Sequence, residues 1–204
     1  MTRRAPRCML IVSCDDVAQR AQAIQAALGA GIDTIQLREP GGNGRAIYDA
    51  AALLRTWTRA ANAALLVNDR VDVARAIEAD GVHLPGASFP TAVAREILGS
   101  GPWIGRSTHA AEEAEEAARA GADYVVLGPI YDTPSKRAYG APLGSRVLGS
   151  IALDVPLIAI GGIAVGNVGE VIAAGADGIA VIRELLHAEE PAIAAARLIS
   201  AVRS

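Results

Sequence analysis

Short apolar runs recur along the chain at nearly even intervals, separated by alanine-rich stretches whose polar residues fall at helical spacing. Four runs share one lead-in: a small residue or Glu, a small residue, then an aspartate. They read Ala30-Gly31-Ile32-Asp33-Thr34-Ile35-Gln36-Leu37, Glu78-Ala79-Asp80-Gly81-Val82-His83-Leu84, Ala120-Gly121-Ala122-Asp123-Tyr124-Val125-Val126-Leu127 and Ala174-Gly175-Ala176-Asp177-Gly178-Ile179-Ala180-Val181. The aspartates stand about 50 residues apart. Four further runs alternate with these: Met9-Leu10-Ile11-Val12, Ala64-Leu65-Leu66-Val67, Trp103-Ile104-Gly105 and Leu157-Ile158-Ala159-Ile160. Eight apolar strands with helix-compatible segments between them predict a parallel sheet covered on both faces. An open doubly wound sheet competes, but the even period favours closure into a single compact (β/α)8 TIM barrel of the α/β class, spanning residues 1–204 as one domain. The repeated aspartates fall at strand starts, the face that serves stability, and are read as structural. Thr108 is predicted to cap a helix over 110–120. Glu112 and Glu113 suit its first turn, and Gly121 suits a left-handed stop. The four glutamates of that segment read as a solvated face.

Composition narrows the function classes. The chain is 51% hydrophobic and 20% charged, an ordinary globular balance. Aromatics at 3% and a net charge of −3 leave neither the stacking platforms nor the basic footprint of a nucleic-acid binder. Cys8 and Cys14 are too few for a disulfide framework and carry no nucleophile motif. The basic start Met1 to Arg7 is followed by a short apolar run broken at Ser13 and Asp15, a poor signal peptide, and no later run is long enough for a membrane span. A soluble cytoplasmic domain is expected, without nucleic-acid or membrane partners.

Polar residues at the C-terminal ends of barrel strands are the informative ones. Gln36 and Arg38 lie two apart and share a face, which asks for a polar or anionic partner; the competing reading is a buried Arg–Glu pair closing the barrel. Strand 3 ends in Asn68-Asp69-Arg70, strand 4 in His83-Leu84-Pro85-Gly86, and strand 5 in Gly105-Arg106-Ser107-Thr108-His109. Gly161-Gly162 after strand 7 and Ile182-Arg183 after strand 8 stand where barrel enzymes cradle phosphate with backbone amides. Lys136 is the sole lysine among 19 basic residues, a point charge suited to a phosphate. His83 reads as a hydrogen-bonded core histidine or a site residue, and His109 as a helix-start contact. No histidine pair has metal-ligand spacing.

Taken together, Gln36-Leu37-Arg38-Glu39, Val67-Asn68-Asp69-Arg70, Ala79 to Leu84, Ile104 to His109, Leu127-Gly128-Pro129-Ile130 through Lys136, and Ala159 to Ile163 resemble the thiamine phosphate synthase and thiazole tautomerase (TenI-like) superfamily, from strand 2 to strand 8. The synthase branch joins a hydroxymethylpyrimidine diphosphate to a hydroxyethylthiazole phosphate and releases pyrophosphate. By that resemblance Gln36, Arg38 and Asn68 contact the pyrimidine diphosphate, Asp69 holds Mg2+, Ser107 contacts the pyrimidine and Lys136 the pyrophosphate. Gly161, Gly162, Ile182 and Arg183 cradle the thiazole phosphate, while His83, Thr133 and Ser135 complete the substrate-binding set. Arg38, Ser107 and Lys136 are the catalytic candidates, and a homodimer is carried as an expectation. The sequence departs from the synthase pattern at Pro40, where a lysine is usual, and at Ser88, where a second magnesium carboxylate is usual; the expected Mg2+ site is therefore weakened. Arg183 replaces a usual serine, and Arg106 and Arg137 are candidate replacement cations. The segment Leu84 to Phe89 is closer to the tautomerase branch, which shifts a double bond without a metal, but that branch's histidine falls at Pro129. His83, His109 or Asp132 would then have to move the proton. Synthase leads, because Gln36, Arg38, Asn68, Asp69, Ser107 and Lys136 occur together; a tautomerase and a silent binder of thiazole phosphate or thiamine phosphate are the alternatives.

Overall fold

A computed structural model describes residues 6–133 and 141–203. Eight parallel strands close into a barrel in sequence order: β1 (Cys8–Val12), β2 (Thr34–Leu37), β3 (Ala64–Asn68), β4 (Gly81–Leu84), β5 (Trp103–Thr108), β6 (Tyr124–Leu127), β7 (Leu157–Ile160) and β8 (Gly178–Val181). The seam pairs Met9 with Ala180, which excludes the open-sheet alternative. Around it lie α1 (Cys14–Gln19), α2 (Ala21–Gly29), α3 (Gly44–Ala60), α4 (Val71–Ala76), α5 (Thr91–Leu98), α6 (Ala111–Arg119), α7 (Val168–Ala173), α8 (Arg183–Leu186) and α9 (Pro191–Arg203). Between β6 and β7 the described residues form only a 3-10 turn, Ser145–Ser150, where a helix-compatible segment was expected. No helix among the described residues is long and apolar enough to cross a membrane.

The aspartate repeat has a physical job. Each carboxylate reaches sideways to the start of the preceding strand and accepts its backbone N–H groups. Asp33 takes the amides of Arg7 and Cys8 at 3.2–3.3 Å, Asp80 takes Leu65 N–H at 2.8 Å, Asp123 takes Ile104 N–H at 2.7 Å, and Asp177 takes Leu157 N–H at 2.8 Å. Arg55 and Arg95 neutralise Asp80 and Asp123 at 2.6 and 2.5 Å. Two residues before each aspartate the chain is left-handed: Gly31, Gly121 and Gly175 have φ of 105°, 89° and 115°, and Glu78 follows them at 53°. The turn geometry belongs to the repeat, and glycine is its low-strain solution.

Two apolar layers follow from strand alternation. Met9, Ile11, Leu66, Tyr124, Val126, Ile158 and Ala180 fill the barrel interior, while Leu10, Ile35, Leu65, Val82, Ile104 and Val125 face the helices. One cap differs from expectation. Thr108 is the last residue of β5 and donates its hydroxyl to Val126 O at 3.2 Å, while α6 starts from Ala110 with no side-chain cap. Glu113 still serves this corner, accepting His109 N–H at 2.7 Å.

Removing a floor carboxylate should unfasten two strands at once. Asp80→Ala leaves Leu65 N–H and the Arg55 guanidinium without their acceptor, and is expected to cost about 2–3 kcal/mol in urea unfolding. Arg45→Ala, which breaks an exposed i,i+4 pair with Asp49, should leave the urea midpoint unchanged in the same experiment.

Candidate active site

The C-terminal end of the barrel holds two compartments. The inner one, about 120 Å3, is lined by Gln36, Arg38, Asn68, His83, Ser107 and His109 above an apolar floor that includes Ile11 and Val126. The outer one, about 830 Å3, runs along Gly161, Gly162, Ile182, Arg183 and Thr133, with Pro129 on its wall. Ile160 and Ile182 line both, so the two adjoin with an apolar sill between them.

Register decides which side chains reach the inner compartment. Ile11 pairs with Gln36 and Asn68 with His83, and His83 pairs with Gly105. Gln36 is fully buried, and its Nε2 has no hydrogen-bond acceptor among the described residues. A buried amide left without an acceptor costs about 1–3 kcal/mol, so a ligand atom or a water entering this compartment would be drawn to it. Arg38 is exposed at the rim. The competing Arg–Glu pair is not what closes this barrel: Glu39 accepts Cys14 N–H at 2.7 Å, and Arg38 makes no ion pair among the described residues.

His83 is buried and bonded at both nitrogens, Nδ1 to the Tyr124 hydroxyl at 3.0 Å and Nε2 to Ser107 Oγ at 2.7 Å. Burial pushes the Tyr124 phenol far above its ordinary pKa, so it stays protonated. His109, read from sequence as a helix-start contact, lines the inner compartment and donates Nδ1–H to Gly128 O at 2.6 Å. Its place in the Gly105 to His109 motif is the signal that could have promoted it. Cys8 and Cys14 are poor nucleophiles: burial raises their thiols to about 12 and about 11, Glu39 adding to the second.

Asp69 stands at the mouth in a left-handed conformation, φ 64°, outside both compartments' walls. Its N–H donates to His83 O at 2.9 Å, and its Oδ1 accepts a short hydrogen bond from Ser88. Among the described residues no cluster of three acidic, histidine or cysteine side chains forms a ready-made metal cage. Arg106 is not a spare cation: its guanidinium donates to Phe89 O at 2.8 Å and Gly86 O at 3.2 Å, tying the loop that carries Ser88 to β5. Ser135, Lys136 and Arg137 lie outside the described residues.

In the outer compartment Gly161 and Gly162 have φ of 99° and 65°. A Cβ on Gly162 would lie 2.7 Å from Tyr131 Cβ and 2.9 Å from Asp132 O. The turn beyond is pinned by Asn167, which accepts Ala164 N–H at 2.8 Å and donates to Gly162 O at 2.9 Å, and by Glu184, which accepts Val165 N–H at 3.0 Å. The amides of Gly162 and Ile163 have no acceptor among the described residues and remain available to an anion. Arg183, predicted to act through its backbone, also extends its side chain along this cleft and donates to Thr133 Oγ1 at 3.0 Å.

Comparison with known proteins follows the same geometry. Residues 8–185 match the family described as thiamine monophosphate synthase. A thiamine-phosphate synthase of Haloarcula marismortui is 44% identical over 186 residues, covering 89% of this chain and 88% of its own. Another from Haloquadratum walsbyi is 42% identical over 181 residues, covering 87% and 81%. The solved thiamine phosphate pyrophosphorylase of Pyrococcus furiosus superposes with a TM-score of 0.87 at 35% identity, covering 97% and 96%.

Gly162 offers a test of the outer compartment alone. Gly162→Ala forces a methyl into the Tyr131–Asp132 backbone in a left-handed conformation, at a cost of about 1–2 kcal/mol. It should weaken binding of a thiazole phosphate about tenfold by calorimetry, with a smaller change for a pyrimidine diphosphate.

Proposed function

The chain belongs to the thiamine monophosphate synthase family, and from that membership together with the paired compartments we propose how it condenses hydroxymethylpyrimidine diphosphate with hydroxyethylthiazole phosphate, as a thiamine-phosphate synthase with residues 1–204 acting as one domain. One observation carries the assignment of substrates to places. A small buried compartment with an orphaned amide adjoins, across Ile160 and Ile182, a larger cleft whose Gly162 and Ile163 amides have no acceptor among the described residues. Two substrates, one a flat heterocycle and one a phosphate ester, are the occupants such a pair would hold side by side.

Gln36, Asn68 and Ser107 orient the pyrimidine in the inner compartment, and Arg38 faces its diphosphate at the rim. Gly161, Gly162, Ile182 and Arg183 hold the thiazole phosphate, with Thr133 steadying the Arg183 guanidinium. The carbon–oxygen bond to the diphosphate breaks, and the thiazole nitrogen supplies the electron pair for the new carbon–nitrogen bond. The apolar sill keeps water from competing for the cationic carbon. Lys136 is assigned to the leaving pyrophosphate by its place after Ser135, on the resemblance alone.

A magnesium ion fits the donor set in a reduced form. Asp69 supplies one carboxylate, whose Oδ2 takes no hydrogen bond among the described residues, and Ser88 a hydroxyl beside it; Mg2+ commonly keeps several waters and leans on substrate phosphates, so one protein carboxylate suffices. When bound, the ion would neutralise charge on the departing diphosphate. Of the tautomerase's three substitute proton carriers, His83 is bonded at both ring nitrogens and His109 donates Nδ1–H to Gly128 O, which leaves Asp132 to carry that reading and favours the synthase.

Purified protein given both substrates and Mg2+ should form thiamine phosphate, read as its oxidised fluorescent product. Binding of both substrates with no product would overturn the synthase reading in favour of a silent binder. Ser88→Asp restores a second carboxylate facing Asp69 and should tighten Mg2+ about tenfold, by calorimetry on the protein and in the apparent magnesium dependence of turnover. Unchanged affinity in both would remove Ser88 from the metal site.

A further inference from the structure

His83, Gly105 and Tyr124 lie in one row across three neighbouring strands, since His83 pairs with Gly105 and Gly105 with Tyr124. The middle position has no side chain for a reason. A Cβ on Gly105 would fall 2.0 Å from Tyr124 Cζ and 2.3 Å from its hydroxyl oxygen, so the tyrosine ring lies across the glycine and reaches the histidine two strands away. The rings of His83 and Tyr124 sit 5.7 Å apart, and Trp103 closes the other side of the tyrosine at 6.3 Å. Nothing in the condensation as described above uses Tyr124.

The hydrogens along Tyr124–His83–Ser107 have three possible arrangements, and burial separates them. The Tyr124 hydroxyl is fully buried and remains a phenol, and among the described residues its hydrogen-bond partner is His83 Nδ1. If Nδ1 carried a hydrogen, as it does in the Nδ1–H tautomer or in the cation, the phenol hydrogen would be sealed in the barrel without an acceptor, at about 1–3 kcal/mol. The cation would add the cost of a buried charge. In the remaining arrangement every donor is satisfied: the phenol donates to Nδ1, and Nε2–H donates to Ser107 Oγ. Ser107 has then received its hydrogen bond from within the barrel, and its own hydrogen is left for the compartment it lines.

We infer that Tyr124 is a positioning residue: it fixes His83 as the Nε2–H tautomer and thereby makes Ser107 a hydrogen-bond donor toward the inner compartment. The compartment then presents donors from two sides, Ser107 Oγ–H and Gln36 Nε2, and selects a heterocycle whose edge carries acceptor nitrogens. Only the identity of that heterocycle rests on the synthase reading.

The free protein tests the tautomer without turnover. With three histidines in the chain, His83→Asn assigns the His83 signals in a long-range proton–nitrogen correlation spectrum of uniformly 15N-labelled protein. The expected spectrum has a protonated Nε2 and an unprotonated, hydrogen-bonded Nδ1. Tyr124→Phe keeps the ring over Gly105 and removes the donor. It should release the ring to both neutral tautomers, drawing the Nδ1 signal upfield toward the mean of a protonated and an unprotonated ring nitrogen, and raise KM for the pyrimidine diphosphate about five- to tenfold while leaving KM for the thiazole phosphate unchanged. A hydrogen on Nδ1 of the wild-type protein would overturn the inference, and that spectrum decides it even if the variant does not fold. A Tyr124→Phe protein with unmoved Nδ1 and unmoved KM would overturn it too. The expected tautomer in a protein that forms no thiamine phosphate would support this inference and overturn the synthase reading.

Discussion

Four aspartate carboxylates at the floor of the barrel hold the rest of the structure in its place. Each binds the first amides of the neighbouring strand, so it fixes how far one strand is shifted along the next. Side chains alternate with a period of two, and a slip of one residue would turn Gln36, Asn68, His83 and Ser107 toward the helices and bring Leu37, Val67 and Leu84 into the mouth. The chemistry at the C-terminal end is thus set by hydrogen bonds at the other end. Burial raises the Asp33 carboxyl above its ordinary pKa, and the bonds from Thr34, Arg7 and Cys8 pull against that rise. The floor carboxylates are held by backbone donors and, at Asp80 and Asp123, by arginines.

That floor is also why the fold was legible. A lead-in repeated four times carries its own turn, its own cap and its own strand, so the period could be read without any tertiary information. The left-handed residue two before each aspartate was readable where it was glycine and not at Glu78, which takes the same conformation because the rest of the repeat demands it. Thr108 misled for a related reason. Ser and Thr before a helix favour the cap position, but β5 runs on through Thr108 and spends its hydroxyl on β6.

The candidate site was legible in part. Polar residues at strand ends stood out against apolar strands, which is how Gln36, Asn68, His83 and Ser107 could be named before any coordinates. Tyr124 could not. In Asp123-Tyr124-Val125-Val126-Leu127 a tyrosine reads as one more core residue, and its partner is 41 positions away on β4. Only the strand register shows that Gly105 leaves the gap through which the phenol reaches His83. Local patterns report faces and periods, whereas the direction of a hydrogen bond inside a barrel depends on every donor sealed in with it.

Against the pattern that the resemblance implies, the rim lacks two charges of opposite sign: Pro40 stands where that pattern has a lysine and Ser88 where it has a carboxylate. Either change alone would leave the mouth unbalanced around a diphosphate; together they remove one charge of each sign and leave the sum unaltered. Ser88 keeps contact with Asp69 as a neutral donor, and Arg106 supports it by binding the Gly86 and Phe89 carbonyls of the same loop. A cation at position 106 that satisfies backbone oxygens holds a loop rather than a substrate. The loop after β4 is therefore fixed from β5 on one side and from Asp69 on the other, with only one of those anchors charged negative. In the proposed reaction the leaving diphosphate then meets Arg38 and Lys136, with any magnesium held through Asp69 and the substrate's own phosphates rather than by a pre-built cage of carboxylates.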